Sequence, residues 1–95
     1  MTMIYRCIGY EQIAVTTAKT LTAAKVTPST LYARIQVQTA PIRASYDGTA
    51  PVGGSIGEYF DIDDVFEVWG APDMLALKMI KDGATGASVE VYYFG

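Results

Sequence analysis

From Leu31 to Gln38 the chain alternates one for one: Leu31, Ala33, Ile35 and Val37 interleave with Tyr32, Arg34, Gln36 and Gln38. Successive side chains of an extended chain point to opposite faces, so this period of two predicts a strand with one buried and one wet face. Pro41 interrupts the pattern and Ile42–Tyr46 resumes it. Asp47-Gly48-Thr49 then reads as a hairpin turn, because Gly after Asp tolerates positive φ. Ala50–Gly54 is loop, Ser55–Phe60 a short strand, and Val65–Trp69 another strand closed by Gly70-Ala71-Pro72-Asp73.

Two stretches are ambiguous. In Leu75–Ile80 the spacing of Leu75, Leu77 and Met79 favours a strand, while the Leu, Met, Ala and Lys content favours a helix; strand is the preferred reading. In the first thirty residues, Glu11–Thr17 and Lys19–Val26 are rich in Thr and Ala and read as two short strands, with Pro28-Ser29 as the following turn. Lys81–Gly86 is a turn, and Ala87–Phe94 a terminal strand with Val89, Val91 and Tyr93 on one face. Strands spaced every ~8–12 residues between Gly/Pro turns predict an all-β fold, an antiparallel β-sandwich or jelly-roll-like small barrel. Ninety-five residues suffice for one such domain, residues 1–95, with no repeat or linker to divide it.

Composition narrows the chemistry. The chain has no histidine, which removes the commonest general base and metal ligand and makes a histidine-dependent nucleophile system impossible within it. A lone cysteine, Cys7, forbids an internal disulfide and a multi-thiolate zinc site, and its apolar setting predicts a buried thiol. No apolar run reaches the ~20 residues that span a bilayer, and the opening Met1–Ile8 lacks the features of a signal peptide. A net charge of −3 speaks against nucleic acid as a partner. No cofactor, no metal and no catalytic residue is expected. Charge is uneven along the chain: residues 1–43 hold five bases and one acid, whereas residues 44–77 hold seven acids and no base. Either the molecule has a basic and an acidic side, or folding mixes the two sets; mixing is preferred.

Asp61, Asp63 and Asp64 are spaced like calcium ligands, but the glycine and distal glutamate of an EF-hand loop are missing, so turn chemistry is the better reading. Glu58, Glu67 and Glu90 offer carboxylates for a glycosidase pair, for which so small a sandwich has little cleft. Gly53-Gly54-Ser55-Ile56-Gly57 lacks the Lys and the following helix of a phosphate loop and reads as surface loop.

The aromatics point elsewhere. Seven Tyr and one Trp stand in a chain of which only 18% is charged, and both residue types favour interfaces. Tyr92, Tyr93 and Phe94 are consecutive, so in a strand at least one faces away from the core. With Trp69 and Tyr59 they form the candidate interface. Trp69 also has the alternative of a sugar-stacking platform.

The order of these segments resembles that of small virion-associated structural proteins of tailed bacteriophages. It runs from Ala14-Val15-Thr16-Thr17 and Leu21-Thr22, through Tyr32–Arg43 and Tyr46-Asp47-Gly48-Thr49-Ala50-Pro51, to Gly57. It continues with Val65–Gly70 and the closing Ala87–Phe94. The likeness covers most of the chain, is a general pattern without a catalytic motif, and is interrupted by Gly53-Gly54. It implies a non-enzymatic capsid decoration (cement) protein, made in the host cytoplasm and carried in the virion. The implied partner is the major capsid protein or another virion protein, with a homo-oligomer, such as a trimer, on the particle. A head–tail connector, a tail component or a carbohydrate-binding module for host recognition are the alternatives.

Overall fold

The computed structural model describes residues 5–95; Met1 to Ile4, half of the segment read above against a leader, lie outside them. Within the described residues, seven strands form two antiparallel sheets. The strands are β1 (Cys7–Val15), β2 (Tyr32–Gln38), β3 (Ile42–Ser45), β4 (Glu58–Phe60), β5 (Val65–Trp69), β6 (Lys78–Lys81) and β7 (Ala87–Phe94), with one short helix, α1 (Ala71–Ala76), between β5 and β6. The larger sheet has the order β1-β7-β2-β5 and the smaller β4-β3-β6. The all-β expectation holds in its sandwich-like form and not as a closed barrel. No helix among the described residues is long and apolar enough to cross a membrane.

The alternation seen in the sequence builds the core. Ala33, Ile35 and Val37 from β2 and Val89, Val91 and Tyr93 from β7 turn to the same side of the larger sheet and are fully buried. Phe66 and Val68 of β5 join them, and Ile42, Ala44 and Met79 of the smaller sheet close the core with Met74 and Leu77. Leu31, one step before β2, is exposed; its carbonyl instead accepts the Gly70 N–H at 2.9 Å.

The chain changes sheet at short corners. Thr39, at φ 75°, and Pro41 carry it from β2 into β3. The Asp61–Asp64 turn brings it back, held against β2 by Asp63 N–H to the Val37 carbonyl (2.8 Å) and Val37 N–H to that of Asp64 (3.0 Å).

One expected strand is shortened and another is absent. Leu75–Ile80 divides into the end of α1 and β6. Gly70, at φ 89°, turns the chain out of β5, and its carbonyl accepts the Met74 N–H at 3.0 Å. Pro72 fits the first turn, where a missing N–H costs nothing, and Met74 is the residue that α1 buries. Lys19–Val26 is not a strand. Lys19 exchanges one pair of 2.8 Å bonds with Met79, Leu21 fills the core, and Ala23–Lys25 is a single 3₁₀ turn. Thr22 explains this path: its N–H (3.2 Å) and hydroxyl (2.5 Å) both donate to the Glu11 carboxylate, which Tyr93 also reaches with its hydroxyl. The segment is thus tied beneath the larger sheet instead of extending it.

Candidate functional site

The outer face of the larger sheet is where side chains of one kind converge. Register places Phe94 (β7), Tyr32 (β2) and Trp69 (β5) in one row, and Tyr92 (β7), flanked by Tyr10 and Arg34, in the next. Tyr32 stacks on Trp69 with centroids 4.1 Å apart and planes 18° from parallel, and on Phe94 at 4.9 Å and 10°. Tyr5 meets both Tyr32 and Trp69 edge-on at 5.8 Å. Tyr10 lies 4.9 Å from Tyr92, and its hydroxyl donates to Glu90. Trp69 donates through Nε1 to Glu67 at 3.2 Å.

Neighbouring strands are ~4.8 Å apart, so rings stacked at this spacing have their planes roughly perpendicular to the line joining the strands. They stand up from the sheet and offer edges to solvent. Offset and edge-to-face pairs contribute ~0.5–1.5 kcal/mol each beyond burial. The rings are thereby fixed before any partner arrives, although Trp69 remains 49% and Tyr10 45% exposed.

Of the five residues picked out by sequence, three meet here: Trp69, Tyr92 and Phe94. Tyr93 does not belong to the surface. It faces inward, is 0% exposed, and its ring carbons lie against Gly9. Tyr59 is exposed but sits on β4 in the other sheet, where the Arg43 guanidinium lies 5.4 Å from its ring centroid. The sequence pattern does not single out Tyr5, Tyr10 and Tyr32. Tyr32 occupies the wet side of the clearest alternating strand, but its stacking partners depend on which strands flank β2, which periodicity does not encode.

The other candidate chemistries resolve into structure. Asp64 accepts the Asp61 N–H at 2.8 Å and Asp61 accepts that of Ile62 at 2.7 Å, as in a turn. No group of three His, Cys, Asp or Glu suited to a metal ion occurs among the described residues. Glu58 accepts from Tyr46 at 2.7 Å, while Glu67 and Glu90 serve Trp69 and Tyr10, so the three carboxylates are dispersed anchors for aromatic groups. Gly53-Gly54-Ser55 is a tight turn closed by the Val52–Ile56 bridge. Cys7 is exposed, contrary to expectation: it opens β1 at the sheet edge, where a bulge before Gly9 disturbs the register. An open depression of about 320 Å³ between Thr39–Pro41, Ile62 and Asp82–Thr85 has one carboxylate, that of Asp82, which already accepts from Arg43 and Gly54.

Compared with protein-family models, with curated proteins and with solved structures, the chain matches none.

Proposed function

We propose that this chain is a non-enzymatic structural component of a tailed-phage virion, of the capsid decoration type, which holds assembled shell protein through the outer face of its four-stranded sheet. The observation that carries this reading is the Phe94–Tyr32–Trp69 stack with Tyr5, Tyr10 and Tyr92 around it. Rigid aromatic side chains lose little conformational entropy on binding and are typical anchors of protein interfaces. Arg34 and Glu67 lie opposite each other in the neighbouring row, so the face offers both signs of charge rather than a single field. A subunit that binds only the assembled lattice stabilises it by mass action.

Both faces of Tyr32 are spent on its neighbours, so a sugar platform on this face would have to use Trp69, which stacks on Tyr32 with one face and lies on the edge strand. The test is co-sedimentation with phage heads assembled without this chain. Wild type should bind saturably, and the Tyr32→Ala/Trp69→Ala double variant, with its fold checked by circular dichroism, should bind at least about tenfold more weakly. A folded double variant that binds heads as tightly as wild type would overturn the reading. So would retention of the wild type on a glycan array but not on heads.

A further inference from the structure

The two edges of the four-stranded sheet are not equivalent. At the β5 edge the inward side chains Phe66 and Val68 are buried, with α1 packed alongside. At the β1 edge, Gly9, Glu11 and Ile13 stay only half-buried, although their neighbours Val89, Val91 and Tyr93 on β7 are fully covered. β1 is also the longest strand, at nine residues. From Gly9 to Val15, the backbone hydrogen bonds among the described residues run to β7, apart from a contact of Cys7 Sγ with the Gly9 carbonyl. Half of the strand's amides and carbonyls therefore point outward without a partner among the described residues.

Exposed edges are usually blunted by Lys, Pro, an inward charge or a bulge. β1 has no Lys or Pro, and its bulge is confined to its first residues. Its sole charge, Glu11, does point inward, but Thr22 and Tyr93 already hold that carboxylate, so it does not stand in the way of a neighbour. Strand addition at such an edge supplies main-chain hydrogen bonds, with alternate side chains deciding the fit.

We propose that β1 pairs antiparallel with β1 of a second copy, joining two four-stranded sheets into one of eight strands about a two-fold axis. Self-pairing fits because β1 carries a single charge, Glu11, and a register centred on Gln12 sets it opposite Ile13. The register follows from the bulge. The regular part of the strand is Gly9–Val15, and using all of it puts Gln12 on the axis, Tyr10 opposite Ala14 and Gly9 opposite Val15. An axis at Glu11 would set two carboxylates face to face, and one at Tyr10 would run the bulge into the paired stretch. Such a contact is isologous and closes at two copies. It goes beyond the function proposed above, since it uses the edge of the sheet and leaves the aromatic face free to bind.

The test uses the full chain. Sedimentation equilibrium should give twice the monomer mass at concentrations on the order of 100 µM, where a micromolar complex is saturated. Gln12→Lys, which sets two cations against each other on the axis while leaving the inner face intact, should return the protein to monomer. In a Cys7→Ser background, Gln12→Cys should form a disulfide-linked dimer under mild oxidation, whereas Ser55→Cys, on the exposed turn after β3, should not. A monomeric wild type overturns the proposal. So does a dimer that survives Gln12→Lys, or one that cross-links no better through position 12 than through position 55.

Discussion

Tyr32 is held by three rings: Trp69 and Phe94 against its faces and Tyr5 at its edge. A double-mutant cycle between Tyr32→Ala and Trp69→Ala, read from urea midpoints, should give a coupling of ~0.5–1.5 kcal/mol, whereas Tyr32→Ala with Tyr59→Ala should be additive. Three other tyrosines, each hydrogen-bonded to a carboxylate, carry a pH signature. The hydrogen bond to Glu90, with burial second, pushes Tyr10 up to about 12. Burial first, and then the bonds to Glu58 and Glu11, push Tyr46 and Tyr93 higher still. In each case the folded state keeps a proton that the unfolded chain releases near the ordinary phenol value of about 10. Stability is therefore fully present below that value and is lost as pH rises through the raised ones. Part of the phenolate absorbance should therefore rise only above the ordinary value, together with unfolding. Glu90→Gln should lower the pH at which Tyr10 ionises; a phenolate rise complete at the ordinary value would contradict these bonds.

At the level of elements, close approach explains a position that backbone angles do not. A Cβ on Gly53 would lie 2.6 Å from the Lys81 carbonyl oxygen and 2.9 Å from that of Asp82, both backbone atoms. Gly53→Ala should therefore cost ~1–3 kcal/mol by thermal or urea unfolding, and Gly83→Ala, with open space around it, no more than about 0.5 kcal/mol. The sequence revealed the elements in which alternation and burial coincide: β2, β5 and β7 match their expected spans closely, down to the inward side of Val89, Val91 and Tyr93. It failed where a tertiary partner decided the outcome. Leu77 and Met79 do alternate into the core, but Leu75 lies on α1 and is exposed, because Gly70 and Pro72 start a helix where periodicity alone continued a strand. The Thr-rich segment after β1 has strand-like composition, yet Glu11 and the core site of Leu21 direct its path. The candidate surface was half legible for the same reason. Facing within a strand can be read from local sequence, which places Tyr92 and Phe94 outside, but the row that joins them to Tyr32 and Trp69 exists only once β2 lies between β7 and β5.

At the scale of the whole molecule, folding brings together charges that lie far apart in sequence. Basic residues from the first part of the chain come to face acids from later parts: Arg34 opposes Glu67 across β2 and β5, and Arg43 Nε reaches Asp82 at 2.8 Å. Arg43 also donates to the Gly57 carbonyl at 3.1 Å and lies over Tyr59, while Asp82 accepts the Gly54 N–H at 3.0 Å. One ion pair thus joins β3, the long β3–β4 connection and the turn that leads from the smaller sheet into β7. The hydrogen bond from Arg43, reinforced by the Gly54 amide, holds the Asp82 carboxyl below its ordinary value. Its ionised form is favoured in the folded state, so the stabilisation is present above the ordinary carboxylate value of about 3.9 and is lost as pH falls through the lowered one. Asp47, held low by Thr49, titrates in the same sense. Urea midpoints measured from pH 7 down to pH 2 should decline on the acid side. Asp82→Asn should lower the midpoint at pH 7 and flatten that decline, because it removes the group whose protonation drives part of it. Ser55→Ala, on the exposed turn beside Gly54, should leave both the midpoint and the slope unchanged. An acid limb as steep in Asp82→Asn as in wild type would mean that this ion pair does not couple the smaller sheet to the turn before β7.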